Sequence, residues 1–391
     1  FNQDFRALVR GMALKVLIVG DEFPPDIGGA ATYTANLCKA LAKIGVDVTL
    51  ALPARLRGSE FIPPDVNVSY FDGFVIPVLM RMFSGRAAKK LRDLIRYGGF
   101  DVVHGQDIHS SAALFSIWYC KRRRIPSVIT CHTVRKTIGR WSVLYHPMMR
   151  VVKKATMVIG VSDQAAETCV NFGVPPWKVR VVPNGVDLSI FYPKSEKEKE
   201  EVKRKYGLDG KVVFSAVRIK KLKGVHVLVK AFVEIVKEVP DARLVIAGKG
   251  KDLPEVVELA RKLGILEKVN FLGPKPVTEI AKLMAAADVF VLPSLSEAFG
   301  MAILEAMASG TPVVSTRTTG SSLIVRDGIN GILVPVGDHS SLAKAVVRVL
   351  TDENLSKSLR ANGLETVRNF TIDVMAKRVL EVYEEAIRLA K

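Results

Sequence analysis

Cysteine is scarce, four in 391 residues. Cys38, Cys120, Cys131 and Cys169 lie far apart, with no Cys-x-x-Cys pair. That excludes a disulfide scaffold, a thiolate zinc site and dithiol exchange, and it fits a reducing cytoplasm. Glutamine is rarer still: Gln3, Gln106 and Gln164 accompany a Lys/Glu-rich surface, a composition that points to a thermophilic source. No apolar run approaches the ~18–20 residues of a membrane-spanning helix; the longest, Ala112 to Cys120, is interrupted by Ser116. The first eleven residues carry Asp4, Arg6 and Arg10 and lack the apolar segment of a secretory signal, so Met12 reads as the natural start. Acidic residues are outnumbered, 39 against 57 Lys+Arg, leaving a net charge of +18. With 49% hydrophobic residues the chain still has material for real cores, which excludes disorder as its main state.

What is present is a repeated alternation of short apolar runs with amphipathic stretches. LKVLIVG from Leu14 to Gly20 reads as a strand, the glycine- and proline-bearing segment after it as a loop, and Ala31–Lys43 as a helix. Extended runs follow at Asp47–Leu50, Asp101–His104, Ser127–Thr130, Met157–Val161 and Val179–Val182, most of them continuous in Val, Ile or Leu. Continuous rather than alternating apolar runs belong to parallel sheets covered on both faces. The turn Pro183-Asn184-Gly185 and the Lys/Glu run Ser195–Lys205 predict an interdomain connection. Beyond it the pattern restarts, with strands at Lys211–Val217, Arg243–Ala247, Val269–Leu272, Val289–Leu292, Pro312–Ser315 and Gly331–Pro335. The expected architecture is α/β, two tandem Rossmann-like doubly wound domains. They are expected at 12–190 and 206–370, with a C-terminal helix over 371–391, behind Thr371 as N-cap, packing back toward the first domain.

In open α/β sheets ligands bind beyond the carboxyl ends of the strands, so the residues directly after each strand are the informative ones. Gly28-Gly29 precede a helix, where free N–H groups accept an anion; a plain glycine turn is the alternative. No Gly-x-Gly-x-x-Gly or Walker-type sequence occurs: the nearest candidate, Gly248 to Leu253, ends in leucine. After the second domain's first strand, Arg218, Lys220, Lys221 and Lys223 crowd into six residues, the place for a diphosphate whose charge fixed cations can neutralise without a metal. Glu297 and Glu305 flank seven residues at what reads as the start of a helix. At ~1.5 Å per residue that separates them by roughly 12 Å, beyond the ~5–9.5 Å of hydrolytic carboxylate pairs, which leaves two binding contacts or two surface charges.

These features together resemble the retaining glycosyltransferases of family 4, the glycosyl transferases group 1, with the two-domain GT-B fold facing across a cleft. Gly28-Gly29, His132 after a strand, the Val182–Asp187 turn, Arg218 with Lys223-Gly224, and Glu297/Glu305 in their Phe-Gly context carry the resemblance, which spans nearly the whole chain from Leu14. It implies a nucleotide-diphosphate sugar on the second domain and the acceptor mostly on the first. By position, Arg218 and Lys223 would hold the diphosphate, Phe299, Gly300 and Met301 would contact sugar or phosphate through backbone groups, and Glu297 would bind sugar hydroxyls. Glu305 would bind the ribose, with Leu304 beside it and the base near Gly248, Pro274 and Lys275. Gly28 and Gly29 would join the donor site, and His132 would reach the sugar from the first domain. The implied reaction is a front-side displacement with retention, needing no cofactor or metal, with UDP-sugars favoured and GDP-sugars next. Val217 where a glycine is usual, Lys249 in the Gly-x-Gly loop and Leu323 after Gly320 depart from the family pattern.

The basic excess concentrates in the first half: residues 1–190 carry 25 Lys+Arg against 14 Asp+Glu. Ile108–Ser162 has ten basic and no acidic residues, and Val75–Gly98 has six basic residues against Asp93, with Leu79, Met82, Phe83, Leu91, Leu94 and Ile95 between them. These segments, 75–98 and 108–162, read as a basic amphipathic surface for anionic lipid, suited to a lipid-linked or glycan acceptor at the inner membrane face. Ordinary helices with solvated basic faces are the alternative. A nucleic-acid binder would also be basic, but no recognisable motif supports it and it leaves Glu297/Glu305 unexplained, so no nucleic acid is expected. A nucleotide-sugar epimerase of the same fold is the nearer rival.

Overall fold

The computed structural model describes residues 13–26, 28–74, 82–133 and 142–390. The expected start at Met12, and the parts of the two basic segments at 75–81 and 134–141, lie outside the described residues.

The chain divides into two compact units, the first running to Gly185 and regaining Ile372–Lys391, the second spanning Val186–Thr371. In the first, strands β1 (Lys15–Val19), β2 (Asp47–Pro53), β3 (Val66–Phe71), β6 (Val102–Gln106), β7 (Ser127–Cys131), β8 (Met157–Gly160) and β9 (Val179–Val181) form one sheet in the order β3-β2-β1-β6-β7-β8-β9. Every pairing in it is parallel; Val16 of β1, for example, faces Val48 on one side and Val102 on the other. β4 (Gly73–Phe74) and β5 (Met82–Phe83) make a separate antiparallel ribbon. The second unit repeats the plan with β10 (Val212–Ala216), β11 (Arg243–Ala247), β12 (Val269–Gly273), β13 (Val289–Leu292), β14 (Val313–Thr316) and β15 (Ile332–Val334), ordered β12-β11-β10-β13-β14-β15.

Helices cover the sheets because the connections between parallel strands must cross over, and each helix turns one apolar stripe inward. α1 (Gly29–Lys43) buries Tyr33, Leu37, Cys38 and Leu41 against the first sheet. α2 (Gly85–Tyr97), α3 (Ser111–Arg123), α4 (Ser142–Val152) and α5 (Asp163–Asn171) complete that unit with the last helix, α14 (Ile372–Ala390). α14 buries Met375, Val379, Val382, Tyr383 and Ala386 in the same core as α1. The second unit carries α6 (Glu196–Tyr206), α7 (Val225–Glu238), α8 (Leu253–Lys262), α9 (Val277–Ala286), α10 (Met301–Ala308), α11 (Ser321–Ile324), α12 (His339–Thr351) and α13 (Glu353–Val367).

Three expectations are corrected here. The Lys/Glu run is not a connection: Ser195 and Glu198 form a reciprocal capping box that starts α6, and Val202 is buried in the second core. The chain passes between units at Gly185–Val186, at the end of the expected Pro183-Asn184-Gly185 turn, and returns at Thr371–Ile372; Val186 and Thr371 pair in a parallel bridge. Nor does α2 offer its apolar stripe outward: Leu91 and Ile95 are buried in the first unit's own core with Leu94 packed against them, and the exposed side chains are Arg86, Lys89, Lys90, Arg92, Arg96 and Tyr97. The remaining miss is β3. Its sequence, VNVSYF, carries Asn and Ser at an edge that is half-covered, so it lacks the continuous apolar run that marked the others.

Candidate functional site

In the second sheet the winding reverses between β10 and β13, and that is where the notable side chains gather. Arg218 follows β10 with its side chain exposed and no hydrogen bond or ion pair to any described residue. Lys223, five residues on, is half-buried and has a partner: its Nζ lies 2.6 Å from Glu297 Oε2, which also accepts from Ser294 Oγ at 3.3 Å. Backbone contact sets this pair. Gly224 sits at φ +65, and a Cβ on it would lie 1.9 Å from the carbonyl oxygen of Pro293. Only glycine fits there. Leu295 N–H donates to Leu222 O at 2.8 Å, so the loop after β10 is fastened to the loop after β13.

Glu297 belongs to that loop and not to a helix; α10 begins four residues later, at Met301. The helical ruler of ~1.5 Å per residue therefore does not measure its separation from Glu305. Gly300, at φ +98, turns the chain into α10, whose first N–H groups have no acceptor within the helix. Phe299 is buried with its ring 6.4 Å from that of Phe370, so its side chain serves the core. Met301 is half-buried. Leu304 is a correction: it is fully buried in the second core and presents no surface to a ligand. Glu305 is half-buried on α10, and loss of solvent, with no compensating partner, raises its pKa to about 7. It is an acceptor short of donors.

The base-site candidates stand on neighbouring strands of the same edge. Gly248 follows β11 and donates to Gly273 O at 2.8 Å; Pro274 follows β12 and is exposed; the Lys275 ammonium lies 5.6 Å from the Tyr206 ring centre. A shallow polar edge therefore runs from Lys275 past Gly248 and Arg218 to Glu297.

The first unit has a pocket of about 140 Å³ at its own switch point between β1 and β6, lined by Asp21, Glu22, Thr34, Gln106, Asp107 and His109 among others. Gly28 caps α1 in an extended conformation and Gly29 is exposed beside it; neither meets a close neighbour where a Cβ would stand. His132 directly follows β7. Its Nε2 is buried without a hydrogen-bond partner, its ring packs edge-on against Tyr33 at 4.9 Å, and burial lowers its pKa against the opposing pull of Asp107.

Sequence reading missed the polar groups behind this histidine. His104 on β6 is fully buried, with Nδ1 hydrogen-bonded to the Tyr383 hydroxyl at 2.6 Å and Nε2 to Thr130 Oγ1 at 2.7 Å, and burial pushes its pKa down to about 3. Gln106 leaves Oε1 buried and unpaired in the pocket wall. Asp107 takes φ 72, a left-handed conformation rare for a residue with a Cβ. The available signal was position, since Gln106 and Asp107 close a strand that the apolar pattern had already located. Among the described residues no cluster of three or more His, Cys, Asp and Glu side chains is arranged to hold a metal ion. No described helix is long and apolar enough to cross a membrane.

The family model described as glycosyl transferases group 1 matches residues 196–366, and that described as glycosyltransferase family 4 matches residues 27–190. A D-inositol 3-phosphate glycosyltransferase of Actinosynnema mirum is 33% identical, over 92% of this chain and 93% of its own. The crystal structure of Anabaena HepE in complex with UDP and glucose has a TM-score of 0.79 at 21% identity, covering 94% of this chain and 98% of the other. The sucrose-phosphate synthase of Thermosynechococcus elongatus has a TM-score of 0.78 at 22% identity, covering 95% and 98%. The fold shared is the two-domain GT-B fold.

Proposed function

This chain belongs to the group 1, family 4 glycosyltransferases, and we propose that it moves a hexose from a UDP-sugar to a hydroxyl acceptor with retention of configuration and without a metal ion. The observation that carries this reading is the arrangement after β10: an exposed Arg218 guanidinium, unpartnered among the described residues, five residues before Lys223, which pairs with Glu297 in loops held by backbone contact. A diphosphate brings the negative charge that Arg218 lacks, and it competes with Glu297 for the Lys223 ammonium. Glu297 is then released toward sugar hydroxyls. As the bond to the leaving phosphate breaks, charge grows on the diphosphate. Arg218 and Lys223 bind that state more tightly than the ground state, which is what accelerates the step. A leaving-phosphate oxygen takes the acceptor's proton on the same face, which accounts for retention.

Glu305 supplies the acceptor atoms for ribose hydroxyls, and the edge at Gly248, Pro274 and Lys275 receives the base. UDP is preferred because structural neighbours were solved with UDP and with UDP-glucose; GDP ranks next. The acceptor takes the first unit's pocket, where Gln106 Oε1 is buried without a partner and fits a hydroxyl; His132 Nε2, outside the pocket lining, is also buried without a partner. A lipid-linked or glycan acceptor suits the basic surface of that unit and an enzyme at the cytoplasmic membrane face.

The test is a thermal-shift screen of nucleotide diphosphates and their sugars in EDTA, followed by NMR of the product's anomeric proton. Stabilisation by UDP and an anomer matching the donor are expected. A shift that requires magnesium, an inverted anomer, or conversion of the donor sugar with no acceptor would each overturn the reading.

A further inference from the structure

Away from both candidate sites, the first unit has a pocket of about 340 Å³ on the opposite edge of its sheet. Ser127 begins β7, and Thr156 and Lys178 immediately precede β8 and β9, so this pocket opens at the amino ends of three adjacent strands. Gly28, Gln106 and His132, by contrast, stand at or after the carboxyl ends. Four cations line it, Lys121, Arg124, Lys154 and Lys178, and among the described residues no carboxylate does.

Helix ends explain part of this charge. Lys121 lies in the last turn of α3, where it complements the helix dipole, and Lys178 Nζ donates to the carbonyls of Lys153 at 3.2 Å and Ala155 at 3.0 Å. Folding does not explain the rest. The Lys154 ammonium and the Arg124 guanidinium make no hydrogen bond or ion pair with any described residue. Lys178 is held below the usual lysine pKa, first by burial and then by repulsion from Lys121. Arg124 ends α3 at φ 57, the left-handed position that glycine ordinarily occupies, so a long cation is kept where the backbone disfavours any side chain. Trp177, 57% exposed, closes one wall with its ring centre 5.3 Å from Lys178 Nζ.

We propose that this pocket binds the phosphoryl group of a multiply charged ligand, with Arg124 and Lys154 as its principal contacts and Trp177 as its apolar wall. Converging uncompensated cations repel one another, and a dianion placed among them replaces that repulsion with charge-assisted hydrogen bonds. The same chemistry is presented by a free diphosphate and by an anionic phospholipid headgroup, and the experiment separates the two.

Inorganic pyrophosphate is titrated into the full chain by calorimetry, with Trp177 fluorescence as a local reporter. Arg124→Gly places glycine at the left-handed position, so its melting temperature holds or rises while affinity for pyrophosphate at this pocket falls at least tenfold. Lys154→Ala repeats the loss, and Arg218→Ala leaves this binding intact. Flotation with phosphatidylglycerol vesicles, against phosphatidylcholine vesicles as control, is run on the same variants. Release of the two pocket variants from the anionic vesicles alone assigns the headgroup; loss of pyrophosphate binding alone assigns a free phosphoryl ligand. The proposal is overturned if neither pyrophosphate nor phosphatidylglycerol binds in a way that both substitutions weaken tenfold, or if Arg218→Ala removes the pyrophosphate signal.

Discussion

Arg218 carries its charge to the end of a buried strand and pairs it with no described residue. Replacing it with alanine touches no core contact, so the melting temperature should stay within a degree or two. Turnover should nevertheless fall at least ~100-fold, the usual effect of removing one donor to a developing anion. Steady-state kinetics with a UDP-sugar checks this, and an unchanged kcat removes Arg218 from the mechanism. Glu305 poses the opposite case. Its pKa is raised from the ordinary carboxylate range to about 7, so the folded state resists ionisation. Such a group costs nothing while both states are protonated, and its penalty grows as pH climbs from the unfolded pKa to the folded one. Glu305→Gln should therefore leave stability unchanged near pH 4 and raise it by roughly 2–3 kcal/mol near pH 8. Denaturant titrations at the two pH values decide the matter; an equal effect at both would mean the carboxylate is not desolvated.

Gly224 joins a loop to a helix, and its substitution acts on the element and not on one contact. A Cβ 1.9 Å from Pro293 O must push apart the loops that follow β10 and β13. Gly224→Ala should cost about 2–4 kcal/mol, from the clash and the positive φ together, and should abolish the thermal shift with UDP because Lys223 and Glu297 are displaced with the loops. A variant that kept the shift would show that the two loops move independently. α14 gives the first unit an element from the far end of the chain. Tyr383→Phe removes the hydroxyl bonded to His104 Nδ1 at 2.6 Å and leaves that buried nitrogen only the longer contact with Gln106 Nε2 at 3.4 Å, a loss of ~1–3 kcal/mol measurable by denaturant unfolding. The same network reaches Thr130 on β7, one strand residue before Cys131 and two before His132, so α14 supports the strand that delivers the histidine.

At the scale of the whole molecule, two units repeat one plan and carry different chemistry. The second has cations and carboxylates at its switch point, the first an acidic pocket with an orphaned glutamine oxygen. Hydrogen exchange in the presence of UDP should slow most at residues 217–224 and 294–305, with GDP less effective. Strongest slowing in the first unit would reverse the assignment of donor and acceptor.

The parallel sheets and the places of Arg218 and Lys223 after a strand were legible in the chain itself, because strands buried on both faces write continuous apolar runs. His132 was legible for the same reason. Glu297 read as the start of a helix and stands in the loop before it. Leu304 and Leu91 were not, since an apolar side chain beside a candidate site reads alike whether it faces a ligand, a lipid or its own core, and only packing distinguishes these. The Lys/Glu run before Tyr206 looked like a connection because charge dominates its composition; one buried valine and a capping box made it a helix. The Tyr383–His104–Thr130 network joins residues 279 and 26 positions apart, separations that no local pattern encodes. What the tertiary structure alone decided was which polar atoms lost their solvent, and hence that Glu305, Gln106 and His132 wait for partners while Lys223 already has one.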